Sequence, residues 1–160
     1  MWLIGAFSLM YAAYSYKTSQ KQLNFAVIVS CTERFQKIMP QLKSQDADER
    51  QRAIKAYVDL CNEELFYIKH NYLPEEIVNE WLDGMIYYLP HFRNGENLNN
   101  SEHCLKEIDA KMLEEYPQIQ KAFEVNNDFE YANFTFENSQ QRKKLVENIN
   151  SNLKDKNQPN

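Results

Sequence analysis

The chain has 160 residues and a formal net charge of −5, with only three glycines and five prolines. The length suits one modest domain with an N-terminal extension, and so few glycines exclude a glycine-rich phosphate loop and disfavour β folds with many turns. The acidic balance argues against general binding to duplex nucleic acid, which needs a basic face. Cys31, Cys61 and Cys104 are odd in number and widely spaced, so we expect reduced core thiols.

The first sixteen residues contain no charged side chain. A helix of this length rises about 24 Å, short of the roughly 30 Å hydrocarbon core of a bilayer, but interfacial tyrosines and lysines can extend its reach. We therefore predict a membrane anchor, with a cleaved signal or lipoprotein segment and a core helix as the alternatives. The residues expected at the membrane interface are Tyr14, Tyr16, Lys17 and Lys21.

The charge distribution predicts an orientation. Residues 17–44 hold five Lys or Arg against one Glu, whereas residues 45–160 hold thirteen against twenty-two acids. A basic segment beside an anchor stays on the cytoplasmic side and is attracted to anionic lipids. We expect a single-pass protein of the inner membrane with most of its chain in the cytoplasm. The predicted parts are an anchor (1–16), a basic juxtamembrane helix (17–44), a cytosolic helical domain (45–154) and a disordered tail (155–160).

Apolar residues recur with helical spacing through most of the chain. In the juxtamembrane helix the positions 28, 31, 35, 38 and 42 form one seam, and Pro40 should kink or end that helix near Met39. Caps and apolar stripes predict further helices over 46–71, 74–92, 101–116 and 138–154. The stripe of the first is formed by positions 54, 58, 61, 65 and 68, with Tyr57 beside it, that of the third by 105, 108, 112 and 116, and that of the last by 145, 149 and 153. The fold class predicted is therefore all-α, an N-terminal membrane anchor helix continuing into a cytosolic helical bundle. The aromatic stretch 126–138 could be a short strand or an arm packed on the bundle.

The helix over 74–92 is the most apolar one and should lie at the centre of the bundle, with Pro74 in its first turn. Trp81 is expected to be buried there. Gly84 costs helix stability in this position, so it indicates a close helix crossing.

The residues that usually carry catalysis show no arrangement suited to it. His70, His91 and His103 are scattered and lack the spacing of a metal-binding helix. Glu63 and Glu64 are adjacent acids, which we interpret as part of a solvated face. No nucleophile, nucleotide-binding or metalloprotease motif occurs. The sequence predicts no catalytic residue, no metal site and no cofactor, and it favours a non-enzymatic role.

The stretch 57–92 runs from an acidic, aromatic helical arm to a second arm that contains Trp81. It resembles the helical-hairpin core of small uncharacterised bacterial single-pass membrane proteins, whose layout also matches residues 1–92, whereas residues 123–160 have no counterpart. Several such proteins resemble membrane effectors of antiphage defence, including ancillary effectors of type III CRISPR systems that sense cyclic oligoadenylate. The resemblance implies a sensor that responds to an anionic signal and acts at the membrane.

Compact basic clusters could meet such a ligand, although a solubilising surface is the alternative for each. One cluster is Arg142, Lys143 and Lys144. The hypothesis places an anionic ligand, such as a cyclic oligonucleotide, on a symmetric homo-oligomer. The candidate binding residues are Arg50, Arg52, Lys55, Lys69 and His70. The expected partners are the lipid bilayer, further copies of the chain, the anionic molecule and a defence-system protein. The alternative function is a passive membrane-tethered scaffold that docks a partner protein.

Overall fold

A computed structural model describes residues 2–70, 72–93, 96–123 and 139–153 of the chain, and these are mostly helical. The all-α prediction is confirmed. In chain order the elements are α1 (Trp2–Gln41), α2 (Ala47–Lys69), α3 (Glu75–Tyr88), β1 (Phe92–Arg93), β2 (Glu96–Asn97), α4 (Ala110–Leu113), α5 (Pro117–Ala122) and α6 (Ser139–Leu153). Strands β1 and β2 form a two-residue antiparallel hairpin. The predictions for 126–138 and for the tail 155–160 fall outside the described residues.

Helix α1 is a single unbroken element of 40 residues, about 60 Å long. The helix ends at Gln41, one residue beyond Pro40. Proline has no backbone N–H to donate and therefore disfavours continuation of a helix. The C-terminal part of α1 joins the core through the buried side chains of Cys31 and Ile38. From Tyr14 to Ser19, by contrast, every side chain is exposed. Within the described residues no helix combines the length and apolar character that a membrane crossing requires. The predicted membrane anchor is therefore not confirmed.

Helix α2 is the central element, and α1, α3, α5 and α6 all pack against it. The Asp46 carboxylate begins it by accepting hydrogen bonds of 2.9 Å from the backbone N–H groups of Asp48 and Glu49. The predicted stripe is confirmed, because its residues and the neighbouring Tyr57 are all buried; the stripe consists of Ile54, Val58, Cys61, Leu65 and Ile68. The prediction that the following helix is central is wrong, because α2 is buried by neighbours along nearly its whole length.

Helix α3 is shorter than predicted and ends at Tyr88. Pro90 pushes the preceding Leu89 into an extended conformation, with φ −83° and ψ 137°, and this stops the helix. Pro74 occupies the N-cap rather than the first helical position. Trp81 is only partly buried, at the edge of the core. The expectation of a fully buried tryptophan is therefore wrong.

The predicted helix over 101–116 does not form. The Ser101 hydroxyl accepts a hydrogen bond of 3.1 Å from the His103 N–H, a local bond that favours a turn over a helix. Turns carry the chain to Asp109, whose carboxylate caps the short helix α4. Leu105 and Ile108 are nevertheless buried, as the apolar stripe predicted.

Helix α6 closes the core on α2, α3 and α5. Its predicted stripe is confirmed, because Leu145, Ile149 and Leu153 are all buried. The three cysteines are buried and free, as expected for core thiols.

Candidate functional site

The basic residues proposed from the sequence fall into two groups at opposite ends of α2. Arg50, Arg52 and Lys55 lie near its beginning, whereas Lys69 and His70 lie at its end. At about 1.5 Å per residue, Arg52 and Lys69 are separated by about 25 Å of helix. One small ligand on a single chain therefore cannot contact both groups.

Several of these residues make contacts within the chain. The Arg50 guanidinium donates to the Leu42 carbonyl and forms an ion pair with Glu107, with Nη2 2.6 Å from Oε1. The Arg50 side chain thus connects the beginning of α2 to the loop before α4. His70 is exposed, and the centroids of its ring and of the Phe66 ring are 4.5 Å apart. Arg52 and Lys55 are exposed and lie one helical turn apart on the surface of α2, and Lys69 is partly exposed. The predicted anionic site stays a prediction.

The second basic cluster is also partly engaged. Arg142 of α6 forms an ion pair with Asp83 of α3, with Nε 3.1 Å from Oδ1, and donates to the Tyr87 hydroxyl over 2.7 Å. These contacts hold α6 against α3. Lys143 and Lys144 remain exposed.

The N-terminal part of α1 displays large apolar side chains to solvent. Tyr14 is 72% exposed, Tyr16 68% and Phe25 68%, and Leu23 is also exposed. Lys17 and Lys21 are exposed on the same segment. The predicted interface residues are thus all accessible, on a helix that projects from the bundle.

A cavity of about 130 Å³ lies where α1, α2 and α3 meet. Each helix contributes one aromatic residue to its lining, namely Phe35, Tyr57 and Trp81. Tyr57 is 2% exposed and therefore lies deep in the bundle. Gly84 also lines the cavity, and a Cβ atom added there would meet nothing within 4 Å. The expected close helix crossing at Gly84 is wrong, because this position faces open space.

Glu64 is the one described carboxyl group in the core, and it lines this cavity. The pKa of Glu64 is raised to about 8, chiefly by burial; the Arg34 guanidinium opposes the rise, and the neighbouring Glu63 carboxylate adds to it. Glu63 itself is half-exposed and paired with Arg34 at 2.5 Å. The interpretation of both acids as a solvated face therefore holds only for Glu63. The signal was present, because Glu64 follows Cys61 by three residues and Tyr57 by seven, which places it on the apolar stripe.

The three histidines lie apart, with His70 and His103 exposed and His91 in the core. His91 is 1% exposed, stacks on Phe123 with ring centroids 4.8 Å apart, and has its pKa lowered to about 3 by burial. Among the described residues no group of histidines, cysteines and acids is arranged to hold a metal ion.

Comparison with known proteins gives no family. No protein-family model matches the chain, and no curated protein or solved structure is detectably similar to it.

Proposed function

We propose that this chain is a non-enzymatic helical module that attaches to the inner membrane through the N-terminal part of α1. The observation that carries the proposal is the continuity of α1. Its C-terminal part belongs to the bundle core at Cys31 and Ile38, whereas its N-terminal part exposes Tyr14, Tyr16 and Phe25. Exposed aromatic side chains beside a charge-free stretch suit the apolar boundary of a bilayer.

The charges beside this segment support a cytoplasmic position for the bundle. Lys17 and Lys21 follow the charge-free stretch directly and can meet anionic headgroups. Since no linker separates the membrane-facing part of α1 from its core part, a tilt of the helix at the membrane would reach the bundle.

Two roles for the bundle are then open to experiment. One is the effector of antiphage defence suggested by the resemblance, in which an oligomer binds a cyclic oligonucleotide through Arg52 and Lys55. The other is a scaffold that docks a partner protein. The ion pair between Arg50 and Glu107 favours the scaffold, because it withdraws one arginine from the proposed ligand site.

Membrane attachment is tested by flotation of the full chain with vesicles that contain anionic lipid. Wild type is expected in the vesicle fraction. Leu9→Glu places a charge in the charge-free stretch and should move the protein to the soluble fraction. Phe66→Glu is the matched control, since Phe66 is an exposed aromatic residue at the far end of α2. Equal flotation of wild type and Leu9→Glu would overturn the proposal.

The two roles are separated by titrating the full chain with cyclic oligoadenylates. Binding that is lost in Arg52→Glu and kept in Lys144→Glu would support the effector, because both variants change an exposed basic residue to an acid. Absence of binding to every ring size, together with a monomeric mass, would leave the scaffold as the proposed role.

A further inference from the structure

We propose that the cavity between α1, α2 and α3 is a binding site for a small organic ammonium ion, such as a quaternary or alkylated amine. The proposal goes beyond the membrane-attached module described above. It stands on the residues of the bundle, in which three aromatic side chains and a buried carboxyl group line one small cavity.

The aromatic residues come from three different helices. Phe35 belongs to α1, Tyr57 to α2 and Trp81 to α3. The rings of Phe35 and Tyr57 lie 6.3 Å apart and are tilted by 50°, so they form two walls rather than a parallel stack. Aromatic faces attract cations through the ring quadrupole, and groups of such rings are the usual site for alkylated ammonium ions.

The charges of the cavity also select a cation. The described residues that line it include two acids, Glu64 and Glu80, and no lysine, arginine or histidine. Arg34 is the basic residue that acts on Glu64, but its guanidinium is already paired with Glu63 at 2.5 Å. A buried carboxyl group without its own cationic partner is costly, and a bound cation would remove that cost.

The size of the cavity suits a compact organic cation. A protein cavity of about 150 Å³ lined by apolar side chains accommodates benzene, so about 130 Å³ is enough for the five heavy atoms of tetramethylammonium. An inorganic ion needs oxygen ligands on most sides, whereas half of the eight lining residues have no side-chain oxygen, namely Phe35, Trp81, Gly84 and Met85. Thr32 and Glu80 are the exposed residues of the lining and therefore mark its opening, whereas Tyr57 and Met85 form its floor.

A dissolved ligand fits the position better than a lipid headgroup. Thr32 follows Tyr16 by sixteen residues of continuous helix, which is about 24 Å. A membrane surface at Tyr16 would not reach the cavity. The preference for a dissolved ligand rests on the proposed membrane attachment, whereas the cation site itself does not.

Protonation gives the site a characteristic pH dependence. Because burial raises the pKa of Glu64 to about 8, its carboxyl group is mostly neutral at pH 7, and binding of a cation must release that proton. Affinity should therefore rise by up to about tenfold between pH 7 and pH 9. Burial holds the pKa values of the neighbouring thiols and phenol above this range. The titratable or charged groups around Glu64 are Cys31, Arg34, Tyr57, Cys61, Glu63 and Glu80.

The test measures tryptophan fluorescence of the full chain during titration with tetramethylammonium chloride or choline chloride. Trp2→Phe serves as the background, since it leaves Trp81 as the single tryptophan. Sodium chloride at the same concentration controls for ionic strength. The uncharged carbon analogue of choline, 3,3-dimethylbutanol, controls for simple filling of an apolar cavity.

We expect saturable changes with both ammonium ions that strengthen from pH 7 to pH 9, and none with the analogue. Glu64→Gln keeps the shape of the side chain and should weaken binding at pH 9 by about tenfold or more. Gly84→Leu should fill the cavity and abolish binding while α-helical circular dichroism is kept. Glu76→Gln, an exposed acid on α3, is the matched control and should bind as the background does.

Three results would overturn the proposal. The first is no saturable response to either ammonium ion, and the second is equal binding of choline and its uncharged analogue. The third is unchanged binding in both Glu64→Gln and Gly84→Leu. A response to phosphatidylcholine vesicles without any response to free choline would overturn the assignment to a dissolved ligand. None of these results depends on flotation, so this proposal and the membrane proposal fail separately.

Discussion

Arg34 of α1 and Glu63 of α2 meet at 2.5 Å, between Nη1 and Oε2, directly beside the buried carboxyl group of Glu64. The pair is half-exposed, and the Tyr67 hydroxyl also donates to Glu63 over 3.0 Å. Two adjacent acids on one helix thus have different environments. Glu63 links α2 to α1 through its ion pair with Arg34. Glu64 is buried and lines the cavity.

The raised pKa of Glu64 predicts that stability falls with rising pH. In the folded chain the pKa is about 8, against an ordinary value of 4.5, so the folded state binds more protons between these values. The free energy of unfolding therefore decreases as pH rises from about 4.5 to about 8, by an amount of order a few kcal/mol. Glu64→Gln should remove this decrease, which urea unfolding at pH 5 and pH 9 would measure.

The comparison needs a matched acid. Glu76→Gln changes an exposed carboxylate on α3 and should keep the slope of the wild type. We expect Glu64→Gln to be the more stable protein at pH 9 and close to wild type at pH 5. Parallel pH profiles of Glu64→Gln and wild type would contradict burial as the cause.

His91 predicts the opposite slope in acid. Burial lowers its pKa to about 3, against an ordinary value of 6.5, so the unfolded chain binds more protons between these values. Stability should fall as pH drops below about 6.5. His91→Phe can keep the stacking on Phe123 and should remove this fall. Unfolding at pH 4.5 and pH 7 measures the effect, with the exposed His103→Phe as a control that should change nothing.

The sequence predicts burial more reliably than it predicts helix boundaries. On α2 the spacing of apolar residues identifies buried positions from Ile54 to Ile68, because a regular helix has one period. Leu105 and Ile108 are also buried as predicted, although turns rather than a helix bring them into the core. The backbone conformation there is set by short-range hydrogen bonds to the side chains of Asn99 and Ser101. The spacing of apolar residues does not reveal such bonds.

The candidate sites depended on tertiary contacts that the sequence does not show. Arg50 is a plausible phosphate ligand until its partner Glu107, 57 residues away along the chain, is known. The sequence places Glu64 at the surface because glutamate is rarely buried, even though this residue lies on the apolar stripe of α2. The cavity forms only where α1, α2 and α3 pack together. The residue pattern within one helix does not predict which helices it contacts.

Gly84 offers a direct test of the open space beside α3. Gly84→Ala adds a methyl group that meets nothing within 4 Å in the interior of a helix. Alanine should therefore stabilise the protein by about 1 kcal/mol, the usual difference between these residues in a helix. Thermal unfolding would measure the rise. A lower melting temperature would show that α3 has a neighbour at this position, as a close crossing requires.

Asn99 should be among the most important polar residues for stability. Its side chain is 5% exposed, and its Nδ2 donates to the carbonyl groups of Ile86 and Leu89 over 3.0 and 2.6 Å. Its Oδ1 accepts from the Ser101 N–H over 2.9 Å. One side chain thus satisfies backbone groups where α3 ends and where the next loop turns, groups that water cannot reach.

Asn99→Ala should lower the free energy of unfolding by about 1–3 kcal/mol, because it leaves buried carbonyl groups without a donor. Asn99→Asp keeps the oxygen acceptor but loses every bond that the amide nitrogen donates, so it should be at least as destabilising as alanine at pH 7. The adjacent Asn100 is exposed, and Asn100→Ala is the matched control with an expected change near zero. Chemical unfolding of the three variants at pH 7 decides the matter. Equal stability of Asn99→Ala and Asn100→Ala would mean that the carbonyl groups at the end of α3 find hydrogen-bond donors other than the Asn99 side chain.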